Sequence, residues 1–434
     1  MDDWAQVRLD DLITVQHGFA FKGEYFVDYV TSDVLVTPGN FSIGGGFQLG
    51  KVKFYDGPVP AEYILSPGDV IVTMTDLSKQ ADTLGYSATV PDSDFRFLHN
   101  QRVGKVTLKD HSADLSFIAW IMRTNGYRHE VLGSATGSTV KHTSPGRILS
   151  YRFKLPPVAE QQRISAVLSA LDNKIELNRR MNETLEASAR ALFRDWFVDF
   201  GPTRAKAEGR PAYFAPDLWS VFPDRLSDDG VPDGWEWSTI GDEVEAVGGS
   251  TPSTKDPALW DGDIAWTTPK DLSDLGSPIL LDTARTITEA GLRTISSGLL
   301  PAGTVLMSSR APVGYLAIAS VPLAINQGYI AMKCRGRVSN WSAYLWTHEN
   351  MAAIISNANG STFQEISKKN FRPLPILVAD EATQSAFDSV VGSMFERITA
   401  NVIESRSLAA TRDALLPKLM SGEIRVRDAE ALAA

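Results

Sequence analysis

Cysteine is nearly absent from this chain, since Cys334 is the only one. A single thiol excludes an intrachain disulfide and a metal site built from cysteines, so we expect a small buried side chain. The histidines are scattered without metal-ligand spacing. No apolar run approaches the roughly 18 residues of a membrane-spanning helix, and the acidic start MDDWAQVRLDD is unlike a signal peptide. We therefore expect a cytoplasmic protein that binds neither a metal nor a membrane.

Excess positive charge is also missing, because the formal net charge is −10. A protein whose whole surface binds nucleic acid carries an excess of Lys and Arg. Any contact with DNA must then come from local basic loops. A composition of 43% hydrophobic and 22% charged residues is typical of a folded globular chain, and 434 residues suffice for two or three domains.

The chain contains an internal repeat. GSTVKHTS begins at Gly137, and GSTFQEIS begins at Gly360, 223 residues later. DDWAQVRLDDL near the start corresponds to DGWEWSTIGDE from Asp233 at an offset of 231, and SPGDVIVTM from Ser66 corresponds to PAGTVLMSS from Pro301 at an offset of 235. Drifting offsets indicate loop insertions between shared elements. The chain is therefore two copies of one arrangement, a mixed segment followed by a long helix.

Each copy ends in a predicted helix with one apolar stripe. Its apolar positions are spaced alternately four and three residues apart, as in the seam of a coiled coil. Each helix can run about 40 residues, or roughly 60 Å, and pairs either with the other helix or with another subunit. Pseudo-two-fold symmetry favours an antiparallel pair inside the chain. The seam residues are Ile164, Leu168, Leu171, Ile175, Asn178, Leu185 and Leu192 in the first helix and Phe387, Val391, Met394, Ile398, Asn401, Leu408 and Leu415 in the second.

Both seams depart from a simple apolar stripe. Asn178 and Asn401 occupy equivalent positions, where they either fix the register of the pair or lie on a solvated edge. The helix ends carry more apolar surface than a two-helix seam covers. We expect this surface to dock a partner, with packing onto the chain's own globular segments as the alternative. The residues concerned are Phe193, Trp196, Phe197, Phe200, Leu416 and Leu419.

The segments before the helices mix short strands with a little helix. VIVTM from Val70 and VGKVTL from Val103 predict strands, as do GTVLMSS, GYLAIAS and GYIAMK in the second copy. LSFIAWIMRT from Leu115 and WSAYLWTHENMAAIIS from Trp341 predict the matching helices. The fold class is α+β, with two similar domains separated by two long antiparallel helices. The predicted order is domain 1 over 1–153, helix 154–200, linker 201–233, domain 2 over 234–374, helix 375–425 and a tail over 426–434.

No catalytic motif is complete. GGFQLGKV from Gly45 resembles the phosphate-binding loop G-x-x-x-x-G-K-[ST], but Val52 replaces the hydroxyl that holds magnesium. KVKFY from Lys51 also predicts a strand where the motif needs a helix N-terminus. A duplicated enzyme should show its catalytic residues twice, whereas this chain repeats structural residues. We therefore expect no catalytic residues.

Basic and polar side chains cluster in loops that differ between the copies. TMTDLSKQADTLGY from Thr73 corresponds to MSSRAPVGY from Met307, and VKHTSPGR from Val140 corresponds to FQEISKKNFR from Phe363. Such side chains donate hydrogen bonds to phosphates and base edges. The candidate DNA-binding residues are Thr75, Lys79, Gln80, Lys141, His142, Arg147, Trp266, Thr267, Ser309, Arg310, Lys368, Lys369 and Arg372.

Three stretches resemble the specificity subunits of type I restriction-modification systems. They are GGSTPSTKDPALWDGDIAWTTPKDL from Gly248, LLPAGTVLMSSRAPVGYLAIASVPLAINQG from Leu299, and the helix that opens with LPPVAEQQRISAVLSALDNKIELNRRMNETLEA from Leu155. The resemblance implies two target recognition domains that each bind one half of a bipartite double-stranded DNA site. It also implies that the helices set the gap between the halves and dock two modification (methyltransferase) subunits.

The same resemblance assigns the chemistry to partner subunits. The modification subunits would methylate the exocyclic amine of adenine with S-adenosylmethionine, and restriction subunits, a further expected partner, would use ATP and Mg. This chain itself would bind no cofactor. A scaffold that assembles partners on its helices without binding DNA is the alternative hypothesis. It predicts co-purification with a partner but no salt-sensitive affinity for DNA.

Deleting seven residues from each long helix tests the helices as a spacer. Removing one heptad from both helices keeps the seam in register, so the complex is expected to recognise a site with a shorter gap. Mapping the methylated sequences of wild-type and shortened proteins measures the gap directly. An unchanged gap in the shortened protein would show that the helices do not set the spacing.

Overall fold

A computed structural model describes residues 4–50, 52–78, 80–137, 140–273, 275–360 and 364–426. The chain divides into two units: unit 1 takes residues 1–173 and 408–434, and unit 2 takes residues 174–407. Each unit contains one globular segment and a portion of both long helices. Within the described ranges, no helix combines the length and apolar character that crossing a membrane requires.

The strands of unit 1 are short and paired into small sheets. They are β1 (Ala5–Arg8), β2 (Ile13–His17), β3 (Phe26–Val27), β4 (Asp33–Val36), β5 (Phe54–Tyr55), β6 (Val70–Thr73), β7 (Thr75–Asp76), β8 (Ser87–Thr89), β9 (Arg96–His99), β10 (Val103–Leu108), β11 (Lys141–His142) and β12 (Arg152–Leu155). The strand predicted from Lys51 is limited to β5, and Lys51 itself lies outside the described residues.

Two four-stranded sheets form the body of unit 1. One has the order β2-β10-β6-β8 and is antiparallel, whereas the other, β3-β5-β4-β9, includes a parallel pair between β4 and β9. All four side chains of β6 are buried, because the strand lies between two neighbours and is covered on both faces. β1 pairs with β12, and β7 pairs with β11.

Helices of unit 1 cover the antiparallel sheet. They are α1 (Leu9–Leu12), α2 (Leu115–Ile121), α3 (Asn125–Gly133), α4 (Pro145–Leu149) and the first part of α5 (Val158–Phe197). The carboxylate of Asp114 caps α2 by accepting a hydrogen bond from the backbone N–H of Phe117. The helix predicted from Leu115 is therefore present and begins at its capping residue.

The stretch predicted as a linker is folded rather than extended. It contains α6 (Gly201–Ala207) and α7 (Pro216–Ser220). The ring of Phe222 packs edge-on against Trp196, with ring centroids 4.5 Å apart. Phe222 and, less deeply, Phe214 thus belong to the core of unit 2, which the irregular Pro, Gly and Asp pattern did not indicate.

The remaining strands lie in unit 2. They are β13 (Glu236–Thr239), β14 (Val244–Val247), β15 (Trp260–Thr267), β16 (Ile279–Leu280), β17 (Arg285–Ile287), β18 (Val305–Ser309), β19 (Val313–Ala319), β20 (Leu323–Ile325), β21 (Tyr329–Cys334) and β22 (Pro375–Val378). The helices are α8 (Ile240–Glu243), α9 (Pro269–Ser273), α10 (Glu289–Leu292), α11 (Asn340–Glu349), α12 (Met351–Ser356), α13 (Lys368–Phe371) and α14 (Glu381–Ser421). The single helix predicted from Trp341 is broken at Asn350.

The internal repeat is visible in the sheet topology of the two units. The order β2-β10-β6-β8 in unit 1 matches β14-β21-β18-β19 in unit 2, which adds β16 at the edge. The parallel pair of β4 and β9 matches that of β15 and β20. The terminal pair of β1 and β12 matches that of β13 and β22. Both copies thus fold into the same α+β arrangement, as predicted.

Each unit completes its core with portions of both α5 and α14. In unit 1, Leu168 and Leu171 of α5 cluster with Leu415 and Leu419 of α14. In unit 2, Lys174 pairs with Glu404, 3.4 Å apart, and Phe193 contacts Phe387, so the two helices run antiparallel. Of the predicted seam residues, Ile175, Leu185, Leu192, Met394 and Leu408 are half-buried and the others are buried.

The seam asparagines lie inside the helix pair rather than on a solvated edge. Asn178 and Asn401 expose only 0% and 2% of their surface. The side-chain amide of Asn178 donates to the carbonyl of Asn401 (3.4 Å), and that of Asn401 donates to Oδ1 of Asn182 (2.9 Å). Buried amides that bond across a seam favour one register, because a slipped helix would leave them without partners.

The apolar helix ends are not free surfaces, so the prediction that they dock a partner is withdrawn. Phe193, Trp196 and Phe197 are buried in the core of unit 2, where Phe200 packs half-buried against Trp235. Leu416 and Leu419 are buried in the core of unit 1. Their apolar surface is covered by the chain's own globular segments, which was the alternative interpretation.

Substitutions at two leucines of α5 distinguish the contribution of core packing to stability from that of helix propensity. Leu168 is fully buried, whereas Leu177 is 53% exposed. Leu168→Ala is expected to lower the free energy of unfolding by about 2–5 kcal/mol, since it leaves a cavity in the core. Leu177→Ala is the matched control and should change it by less than about 0.5 kcal/mol. Denaturant unfolding measures both, and equal effects would contradict the packing described for Leu168.

Candidate nucleic-acid interface

Two loops meet at the end of β6 in unit 1. The first follows β6 and takes the described residues of 74–83, and the second contains β11 and takes the described residues of 136–147. β7 pairs with β11, and the N–H of Thr143 donates to the carbonyl of Met74 (3.0 Å). We call these two loops loop pair 1. The sequence predicted candidate residues on both of them, and the structure brings the two loops together.

The carboxylate of Asp76 organises the first of these loops. It accepts hydrogen bonds from the backbone N–H groups of Ser78 and Thr83, each 2.6 Å long, and from the Thr83 hydroxyl (2.7 Å). Burial alone would raise the pKa of the Asp76 carboxyl, but the bonds from Thr83 and Ser78 outweigh it and hold the pKa below its usual value. An ionised, buried Asp76 therefore fixes the loop that presents Gln80.

Unit 2 repeats the arrangement at the end of β18, as loop pair 2. Its loops take residues 309–315 and the described residues of 359–372. The N–H of Ile366 donates to the carbonyl of Ser309, again over 3.0 Å. Arg310 and Glu365 form a β-bridge, and their side chains lie 3.9 Å apart. The buried hydroxyl of Ser308 accepts from the N–H of Tyr315 and donates to the carbonyl of Pro312. The repeated backbone geometry thus carries unlike side chains.

The repeated GST letters mark a closed turn in each loop pair. Thr136 and His142 exchange both backbone hydrogen bonds, as do Asn359 and Glu365. The glycine inside each turn, Gly137 or Gly360, has a positive φ of +97° or +99°, and a Cβ on Gly137 would lie 1.9 Å from the carbonyl oxygen of Val140. The Ser and Thr of both copies lie outside the described residues.

Most predicted DNA-binding residues present polar groups at the surface of these loops. In loop pair 1, Gln80 and His142 are exposed, and Lys141 and Arg147 are half-buried. Arg147 contacts the hydroxyl of Thr136 at 3.3 Å. The predicted residue Lys79 lies outside the described residues. The exposed surface of loop pair 1 thus combines amide, imidazole and cationic donors.

Loop pair 2 presents a more cationic surface. Lys368, Lys369 and Arg372 are exposed, and Arg310 is half-buried. Arg372 also has a structural role, because its guanidinium donates to the carbonyl of Ala246 (2.7 Å). Lys368 and Lys369 lie in the first turn of α13, beside the closed GST turn. These two lysines are the strongest candidates for phosphate contacts in unit 2.

Four predicted contact residues are buried, and direct DNA contact is withdrawn for them. Thr75, Trp266, Thr267 and Ser309 each expose 5% or less of their surface. The Thr75 hydroxyl lies 3.2 Å from Nδ1 of His142, and the other three are packed in strands β15 and β18. These side chains support the loops, because their polar groups are covered by the protein.

In each unit a cation is stacked on an aromatic ring, a feature that the sequence did not reveal. In unit 2 the exposed guanidinium of Arg285 lies 3.5 Å from the centroid of Trp260. In unit 1 the ammonium of Lys53 lies 4.3 Å from the centroid of Phe26. Cations held on aromatic rings are pre-oriented donors. The residues of each pair are far apart in sequence and meet only through strand pairing, so no local pattern could show them.

The described parts of the chain contain dispersed His, Asp and Glu side chains and one free cysteine. Among them, no group of three or more His, Cys, Asp or Glu side chains could hold a metal ion. Cys334 is half-buried beside the core of unit 2, and burial raises the pKa of its thiol to about 12. A thiol with such a pKa remains protonated and is a poor nucleophile near neutral pH.

Two equivalent loop pairs on a duplicated α+β scaffold define a protein with two similar candidate binding surfaces. Residues 1–187 and 232–386 match the type I restriction modification DNA specificity domain. The chain belongs to this family.

Individual relatives agree with this assignment. The type I restriction enzyme HindI specificity subunit of Haemophilus influenzae is 26% identical over 340 residues, which cover 68% of this chain and 74% of that protein. The MjaIX specificity subunit of Methanocaldococcus jannaschii is 36% identical over 173 residues, or 39% of this chain and 40% of the relative. The S subunit from M. genitalium shares the fold, with a TM-score of 0.56 and 15% identity over 96% of both chains.

Replacing both Lys368 and Lys369 by alanine tests loop pair 2 as a phosphate-binding surface. Each lost phosphate contact is expected to reduce the slope of log affinity against log salt by about 1 and to weaken binding similarly for all sequences. Filter binding or fluorescence anisotropy of the assembled complex over a salt series measures the slope. Lys418→Ala, which removes an exposed lysine of α14, is the control, and an equal change there would contradict the assignment.

Proposed function

We propose that this chain selects the DNA site of a type I restriction-modification complex, with unit 1 and unit 2 each binding one half of a bipartite site. The observation that carries the proposal is the pair of equivalent loops. Equivalent backbone hydrogen bonds join the two loops and close the turn in both units, whereas the side chains beside them differ: Gln80 and His142 in one, and Lys368 and Lys369 in the other. A shared frame with unlike donors suits two unlike half-sites.

The chain is proposed to be non-catalytic and to bind no cofactor itself. Two modification subunits that carry S-adenosylmethionine are its proposed partners, and restriction subunits that use ATP and Mg are further ones. A negative net charge of −10 fits a subunit that contributes local DNA contacts while its partners contribute others. The gap between the two half-sites is proposed to depend on the length of α5 and α14.

Methylome sequencing of cells that carry this protein and its modification subunit tests the proposal. The expected result is adenine methylation at one asymmetric bipartite sequence, together with complex binding to that sequence that weakens steeply with salt. Cells without this chain are the control. Methylation with no common sequence would refute the proposal. Co-purification of the partners without salt-sensitive DNA affinity would support the scaffold alternative instead.

A further inference from the structure

A line of four side chains on the first part of α5 holds the globular segment of unit 1. Oε1 of Gln161 accepts from the backbone N–H of Asp114 (2.8 Å), and the Ser165 hydroxyl donates to the Asp114 carboxylate (3.0 Å). Farther along, Ser169 accepts from Nε1 of Trp120 (3.0 Å). The fourth residue is Asp172. We call Gln161, Ser165, Ser169 and Asp172 docking stripe 1.

Asp172 joins three parts of unit 1 through charge. Its carboxylate oxygens pair with Arg123, which follows α2, at 2.6 Å, and with Arg412 of α14 at 2.5 Å. Nε of Arg123 donates to the carbonyl of Gly44 (3.0 Å), and its guanidinium lies over the ring of Trp120. The Arg123 side chain is only 8% exposed. Loss of the carboxylate would leave a buried cation without its partner, which is costly.

The equivalent positions of α14 form docking stripe 2 in unit 2. They lie 223 residues later, at Gln384, Asp388, Gly392 and Phe395. Gln384 donates to the Ser342 hydroxyl (2.7 Å), and Asp388 accepts from the Ser339 hydroxyl (2.5 Å).

Gly392 and Phe395 complete this stripe with aromatic contacts. A Cβ on Gly392 would lie 3.3 Å from Nε1 of Trp341. The absence of a side chain at Gly392 therefore leaves room for the indole ring of Trp341. Phe395 stacks on Trp341, with centroids 4.9 Å apart, and meets Tyr344 edge-on. Both stripes therefore contact corresponding helices, α2 and α11, but the last position is ionic in unit 1 and aromatic in unit 2.

Rigid elements connect docking stripe 1 to loop pair 1. The Ser87 hydroxyl on β8 donates to the carbonyl of Ala119 in α2 (2.6 Å), and β8 pairs with β6, which leads into the loop at Met74. Phe117 and Ile118 of α2 share one buried cluster with Met74. A shift of α2 on α5 must therefore move the loop, because a close-packed core transmits displacement.

In unit 2, Phe395 shares one buried cluster with Tyr344 of α11 and with Met307 of β18, the strand that leads into loop pair 2. We propose that the two docking stripes are positioning elements for DNA recognition, with Asp172 aligning loop pair 1 and Phe395 aligning loop pair 2. This inference rests on the proposed function. Because each stripe contacts its own globular segment within its own unit, the two half-sites are aligned independently. A disturbed stripe lowers the discrimination between correct and incorrect bases in one half-site and leaves the other half-site unchanged.

The experiment compares methylation by assembled wild-type and variant complexes on a DNA library in which each half-site is varied separately. Asp172→Asn removes the charge that holds Arg123 and Arg412. It is expected to reduce discrimination in one half-site by about tenfold, since a misplacement of about 1 Å can cost about 100-fold in positioned chemistry and the shift expected here is smaller. Phe395→Leu removes the aromatic stacking and is expected to relax the other half-site. The readout is the ratio of methylation at matched and mismatched sites.

Glu176→Gln is the matched control. Glu176 is also a carboxylate of α5 paired with two arginines, Arg179 and Arg180, but both lie on α5 itself. It should leave both ratios unchanged. If Asp172→Asn prevents assembly, Arg123→Lys keeps the positive charge beside Asp172, loses the bond to Gly44 and is expected to relax the same half-site to a smaller extent.

The outcomes separate the inference from the proposed function. If the wild-type complex methylates no bipartite site, the proposed function fails. If it does, and Asp172→Asn relaxes both half-sites equally or neither, the inference is overturned while the function stands. A purely stabilising role would lower the yield of complex and methylation at every site, without changing the ratio for one half-site alone.

Discussion

The burial of apolar stripes on α5 and α14 is the constraint on which the rest of the structure depends. A helix of 40 residues with one apolar face is stable in water only when that face is covered. Each unit covers part of both helices with its own sheet and helices, as Leu168 and Leu415 illustrate in unit 1. The last described residues of the chain therefore belong to the same unit as the first ones, although the whole of unit 2 separates them in sequence.

The repeated scaffold carries two sets of side chains that differ between the units, one on the long helices and one on the loop pairs. Residues of the long helices that face the globular segments repeat in position but vary in chemistry, as with Asp172 and its counterpart Phe395. Residues of the loop pairs vary in the same way, around a turn and a loop-to-loop backbone hydrogen bond that recur in both units. A duplicated scaffold can diverge at both places independently, because the docking stripes and the loop pairs are separate sets of residues in each unit. Two similar units can thus acquire different binding preferences.

Much of the fold could be predicted because its signals are periodic. The alternation of four and three residues located both helices, and the sequence similarity between the copies located equivalent strands such as β6 and β18 although the offset drifts. The packing of the apolar helix ends was harder to predict. Periodicity shows that Trp196 must be covered, but it does not show which residues cover it. The covering residues, such as Phe222, come from an irregular stretch with no period. For the candidate site, the sequence predicted the loops but not which of their side chains are exposed. Thr75 and Gln80 are both polar, yet Thr75 is buried and Gln80 is exposed.

The sequence by itself determined the duplication, the α+β class, the two long helices and the family. These features follow from local composition and from the spacing of residues along the chain, which can be recognised within a single strand, helix or repeat. Only the tertiary structure decided which polar residues reach solvent, which aromatic residues fill the core, and how Asp172 connects Arg123 with Arg412. The reason is physical: burial and ion pairing depend on distances between residues far apart in sequence, and folding alone sets those distances.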